Sequence, residues 1–77
     1  MPRDPKTADI VAEMVANVMT VVVSPGDKLA AGDAVVLLES MKMEIPVLTE
    51  TAGTVSAVKV AAGDVVQEGD VLVTLEL

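Results

Sequence analysis

The chain repeats itself. A shift of 37 residues lays "VMTVVVSPGDKLAAGDAVVLLE" (Val18 to Glu39) over "VSAVKVAAGDVVQEGDVLVTLE" (Val55 to Glu76). Val18, Val21, Val23, Gly26, Asp27, Gly32, Asp33, Val36, Leu38 and Glu39 meet identical residues at Val55, Val58, Val60, Gly63, Asp64, Gly69, Asp70, Val73, Leu75 and Glu76. Two copies of one pattern should fold alike. With 77 residues in total, neither copy is long enough to bury an apolar face alone. The copies must therefore share one core in one small domain.

Each copy holds two Gly-Asp pairs, Gly26-Asp27 with Gly32-Asp33 and Gly63-Asp64 with Gly69-Asp70. Glycine reaches positive φ without a Cβ clash, and an Asp carboxylate can close a turn on nearby backbone N–H groups. The pairs read as turns, not as catalytic groups. Between them lie runs of Val, Leu, Ile and Thr at short spacing, the pattern of an all-β sandwich or barrel.

The sequence predicts strands near 9–14, 17–23, 34–40, 43–49, 53–60 and 70–76, with short bridging strands near 28–30 and 65–67. A helix over "KLAAGDAVVLLESMKME" has good helix formers in its favour. Against it stand the interruption at Gly32-Asp33, the extended bias that Pro46 imposes on Ile45, and the Val- and Thr-rich counterpart in the second copy. The expected fold is a flattened antiparallel β-sandwich or barrel whose two halves pack about a quasi-two-fold axis. Residues 1–8 are read as a flexible N-terminal segment and 9–77 as the domain.

Composition removes most chemistries. The chain has no Cys and no His, which excludes thiol nucleophiles, zinc sites of the Cys/His kind and an imidazole base. Without aromatic residues there is no stacking platform for bases, and a formal charge of −7 repels phosphates, so nucleic acid is not an expected partner. The longest wholly apolar run, Ala34 to Leu38, falls far short of the roughly 18 residues a membrane helix needs. "MPRDPKTAD" lacks the apolar stretch of a secretory signal. The expectation is a cytoplasmic protein with no membrane association.

The repeat breaks at "SMKMEIPVLTETA", which reads as the connection between the copies. If 34–40 and 43–49 are both strands, about two residues join them, as in a tight hairpin, and Lys42 stands at its exposed tip. Such turns favour Asn-Gly, Asp-Gly or another Gly-containing pair, and Met41-Lys42 offers neither residue. A local rule broken in an otherwise consistent sequence directs attention to function. By spacing alone, though, a lysine in a polar turn is ordinarily a solvated side chain, and Met41 and Met43 are ordinary apolar cover. Ser40 with Lys42 as a nucleophile pair lacks any oxyanion feature. Glu39, Glu44 and Glu50 have the right chemistry for a hard cation but not the spacing, so no metal site and no catalytic residue is assigned.

At "ESMKME" the chain resembles the biotinyl, or biotin carboxyl carrier, domains of biotin-dependent carboxylases, members of the biotin/lipoyl attachment superfamily, and is most similar to their free-standing single-domain type. The likeness runs from about Asp9 to Leu77 and includes the duplicated halves, the lysine at their junction and "AGTVSAVKVAAGDVVQEGD". It implies a barrel-sandwich hybrid and a non-catalytic carrier subunit. It further implies that Lys42 is the biotin attachment residue, with Glu39, Met41 and Met43 flanking it for ligase recognition.

The implied partners are a biotin protein ligase, which supplies biotinyl-AMP, and the biotin carboxylase and carboxyltransferase subunits between which the arm carries carboxybiotin. The free carrier is expected to be a monomer. Three departures stand out: "MVANV" (Met14 to Val18) where many members have a Pro-Gly turn, Ser40 where Ala is frequent, and no inserted thumb segment. The alternatives are a lipoyl carrier, whose tip more often reads Asp-Lys-Ala, and an unmodified β-domain that binds a partner by its surface.

Overall fold

Runs rich in Val, Leu, Ile and Thr form eight strands among residues 6–77, the part of the chain that the computed structural model describes. They are β1 (Thr7–Val11), β2 (Ala16–Val21), β3 (Lys28–Leu29), β4 (Ala34–Ser40), β5 (Met43–Leu48), β6 (Gly53–Val58), β7 (Val65–Val66) and β8 (Val71–Glu76). All pair antiparallel, in one sheet of order β1-β8-β6-β3 and a second of order β5-β4-β2-β7. The all-β sandwich expected from the repeat is the fold observed.

The duplication is more extensive than the matching residues show. The same shift that carries β2, β3 and β4 onto β6, β7 and β8 also carries β1 onto β5, although "TADIV" and "EIPVL" share no residue in register. Each copy is thus a four-strand unit. The connection between copies shrinks from the thirteen-residue stretch beginning at Ser40 to Met41 and Lys42 alone. At the other end of the duplication, the Leu77 N–H donates to the Lys6 carbonyl at 2.9 Å. Ser40 pairs with Met43 at the equivalent place.

The copies also do not pack as two separate halves. Each sheet draws two strands from each copy, so the halves interleave. The Gly-Asp turns explain how. Each of the four, Ser24–Asp27, Ala30–Asp33, Ala61–Asp64 and Gln67–Asp70, closes with a backbone bond of 3.0 Å from the Asp N–H to the first residue's carbonyl. The Asp carboxylate in turn accepts the first residue's N–H at 2.9 Å. The third residue is glycine at φ between 93° and 97°, as a type II turn requires.

The closed turns then clasp the opposite copy. The Gly26 N–H donates to the Val55 carbonyl at 2.7 Å and Val55 N–H to Asp27 at 2.8 Å, and Gly63 with Val18 and Asp64 repeats the arrangement. A second clasp joins Gly32 and Asp33 to Thr49, and its equivalent joins Gly69 and Asp70 to Ala12. This last contact is why β1 stops at Val11 and does not run to 14: Ala12 spends its backbone on the opposite copy's turn. β1 also begins at Thr7, inside the stretch 1–8 assigned to a tail, while residues 1–5 of that stretch lie outside the described residues.

The core follows the same symmetry. Val18 and Val55, Val35 and Leu72, Val36 and Val73, and Leu38 and Leu75 are equivalent pairs, all buried. Val35 and Leu72 are the extra residues of matching irregularities in the β4–β5 and β8–β1 ladders, which let consecutive residues Val35-Val36 and Leu72-Val73 both be buried. Thr49 is the buried polar side chain among the described residues. Its hydroxyl donates to the Thr51 carbonyl at 2.6 Å and accepts from the Thr51 N–H at 3.2 Å, which satisfies it locally.

Gly53 carries a testable constraint. A Cβ there would lie 3.0 Å from the Glu76 carbonyl oxygen and 3.3 Å from the Leu75 Cβ, both on the paired strand β8. Gly53→Ala should therefore cost about 1–3 kcal/mol in urea unfolding through forced separation of β6 and β8. Parent-like stability would contradict this reading.

Candidate functional site

The ladder between β4 and β5 pairs Leu38 with Ile45, Glu39 with Glu44 and Ser40 with Met43, leaving Met41 and Lys42 as a two-residue loop. Such a loop matches the right-handed twist of its strands only as a primed turn, and type I′ needs positive φ at both positions. Met41 has φ 54° and Lys42 φ 66°, the two non-glycine residues with positive φ among those described. For L-residues with a Cβ this backbone costs roughly 1–2 kcal/mol each. The ladder imposes it, because slipping the register would carry buried Leu38 to the solvent face.

A second local penalty sits one step behind. Glu39 and Glu44 are directly opposite each other, a like-charge cross-strand pair of the kind that destabilises a sheet. Sequence reading singled out Glu39 as a site residue and treated Glu44 as part of a solvated face. The signal for their juxtaposition was available in the two-residue turn, which fixes every opposite pair. Glu50, by contrast, lies beyond the far end of β5 and does not join them.

Both methionines point away from the core: Met41 is 91% exposed and Met43 61%. Ordinary apolar cover would fold back onto the sandwich, and these side chains do not. Lys42 between them is also exposed. The strand that holds the tip, β4, is central in its sheet, flanked by β2 and β5, so the exposed turn stands on a firm base. The register Asn17 with Glu39 runs the preceding segment toward the same end, placing exposed Met14 and Val15 on the tip side. Both lie in the Met14 to Val18 stretch noted above as a departure, which received no functional reading there.

A groove of about 480 Å³ lies between edge strands β1 and β5, lined by Ile10, Val11, Met14, Ile45, Val47 and Leu48 among others. Two of its polar side chains are already paired. The Asp9 carboxylate accepts the Thr74 hydroxyl at 2.9 Å, and the Thr49 hydroxyl is engaged with Thr51. No described helix is long and apolar enough to cross a membrane.

A β-sandwich that holds a lysine on a strained, solvent-exposed turn has the layout of a carrier-type domain. A family model described as "Biotin-requiring enzyme", for biotin/lipoyl domains, matches residues 4–75, and the chain belongs to this family. A homologue of the biotinylated protein TB7.3 from Mycobacterium leprae is 64% identical over 45 residues, which cover 58% of this chain and 63% of that protein. The match thus spans less than two thirds of that relative's length.

Among solved structures, the urea carboxylase of Kluyveromyces lactis superimposes with a TM-score of 0.86 at 27% identity, over 97% of this chain and 7% of that one. The lipoyl domain of the 2-oxoglutarate dehydrogenase complex from Azotobacter vinelandii superimposes with a TM-score of 0.70, also at 27% identity, over 82% of this chain and 80% of that one. Sequence identity is the same with both, and the superposition is more complete on the carboxylase.

Proposed function

We propose that this chain is a biotin carrier in which Lys42 is the attachment residue and Glu39, Met41 and Met43 form the surface read by a biotin protein ligase. The observation that carries the reading is the Met41-Lys42 turn: one amine, fully presented, between two thioethers that the fold does not use. A carrier tip flanked by methionines is the biotin pattern, whereas the lipoyl pattern has Asp and Ala there. The likeness to a carboxylase structure over 97% of the chain supports the same choice.

The residues present fit the group. Attachment needs an amine that reaches a foreign active site, with no wall of its own domain beside it, and Lys42 meets both conditions. Amide formation needs a leaving group on the acyl carbon, so the ligase must offer biotin as an activated acyl donor and accept the proton that leaves Nζ as the bond forms. Biotin then supplies the carboxyl-carrying chemistry, and the domain supplies delivery. Tethering raises the local concentration of the arm at both a biotin carboxylase and a carboxyltransferase, the partners proposed here. The domain is not itself catalytic, and we place it in the cytoplasm as a monomer.

Intact-protein mass spectra after incubation with biotin ligase and ATP, with and without biotin, test the reading. The parent should gain the mass of one biotin less one water, and Lys42→Arg should gain nothing while keeping the parent's circular dichroism. A parent chain that stays unmodified, or that takes lipoate from a lipoate ligase in its place, overturns the proposal.

A further inference from the structure

We propose that Met41 and Met43 are peroxide-reactive modification sites whose oxidation to sulfoxide blocks acylation of Lys42. The inference rests on the reading of Lys42 as the biotin acceptor and extends it to control of that step. With no Cys, His or aromatic residue in the chain, the thioethers are its readily oxidised side chains. Exposure ranks those described: Met19 is half-buried, Met14 is 36% exposed, Met43 61% and Met41 91%. Among the described methionines, an oxidant in solution therefore meets first the two sulfurs that flank the lysine.

The step is a two-electron oxygen transfer. A lone pair of the thioether sulfur attacks one oxygen of hydrogen peroxide, an S–O bond forms as the O–O bond breaks, and water leaves. Sulfur is oxidised and the peroxide reduced, with no other reactant needed. The product replaces a flexible apolar side chain by a polar, chiral one. A ligase subsite shaped for two thioethers would then have to desolvate a sulfoxide oxygen without a partner. Neither side chain packs in the core, so the fold should not register the change. Leucine would supply comparable apolar surface without this reactivity, and the tip carries sulfur instead.

The test uses the full unmodified chain, titrated with hydrogen peroxide that is removed by catalase before any ligase is added. Peptide mapping should show Met41 oxidised first and Met43 next, ahead of Met19. Biotinylation kcat/KM should fall tenfold or more, with an unchanged thermal midpoint, and treatment with methionine sulfoxide reductases A and B should restore it. A Met41→Leu, Met43→Leu variant, whatever its own rate, should show the same rate before and after peroxide.

Biotinylation of the oxidised tip at the parent rate overturns the proposal. So does a loss that persists in the double variant or follows oxidation of Met14 or Met19. An untreated chain that takes no biotin on Lys42 overturns the carrier reading, and the control with it.

Discussion

Exchanging the two tip residues, Met41→Lys with Lys42→Met, should leave the thermal midpoint of the domain unchanged and lower its rate of biotinylation at least a hundredfold. The exchange preserves composition, charge and the need for positive φ at both positions. Neither residue packs against the core, so nothing in the stability changes. What moves is the amine. Its Cα shifts by about 3.8 Å, the spacing of consecutive residues, and the side chain leaves the turn in a different direction.

A reacting nitrogen must come within about 3–3.5 Å of the acyl carbon with its lone pair aligned, and a misplacement of about 1 Å already costs on the order of a hundredfold. Ligase assays on the parent and the exchanged variant, read by mass, decide the matter. A variant modified at the parent rate would show that the ligase needs only an exposed lysine at the end of a hairpin.

Leu75→Ala is expected to destabilise the domain by about 2–5 kcal/mol, the range for deleting a buried leucine side chain and leaving a cavity. Leu75 is fully buried, in the strand that joins β1 to β6. A domain of 77 residues has a total stability of roughly 4–12 kcal/mol, so the variant should melt about 10–30 °C lower and sit partly unfolded near body temperature. Leu38 is the equivalent residue of the other copy and is just as buried, so Leu38→Ala should cost the same to within about 1 kcal/mol. Urea unfolding of both variants measures this. A small effect for either would mean that the two copies do not share the core equally.

The loss at Leu38 should extend to function in a way that the loss at Leu75 does not. Leu38 pairs with Ile45 two steps behind the ladder-closing pair Ser40 and Met43, and its burial holds the register that places Lys42 at the second turn position. The strained turn and the facing glutamates both work against that hairpin. Their combined cost, on the order of a few kcal/mol, is sustained by the core behind them. Local conflict of this kind persists where the rest of the sequence agrees on one fold, and here it is concentrated around Lys42.

Much of this was legible from residues alone. The four Gly-Asp turns announced themselves because positive φ and a turn-closing carboxylate have narrow residue requirements, and all four formed as read. Part of the buried set falls on positions that repeat, such as Val18 with Val55 and Leu38 with Leu75, whereas Val35 and Leu72 are not identical in the two copies. The tip was legible because two strands joined by two residues leave a lysine no other place.

The equivalence of β1 and β5 was not legible. The two strands share no residue in register because both are sheet edges, where many side chains satisfy the same backbone path. Nor could the repeat reveal that the copies interleave. A turn pattern states that the chain reverses but not which strand its free N–H and C=O groups will meet.

By itself, then, the sequence determined the class of fold, the turns, the apolar set and the single lysine at the junction, because each rests on local requirements of backbone and side chain. Tertiary structure alone decided the rest. Pairing between copies forced Met41 and Lys42 into left-handed backbone and held both methionines out in water. Those outcomes follow from long-range ladder register and shared burial, whose energies exceed the local preferences they override.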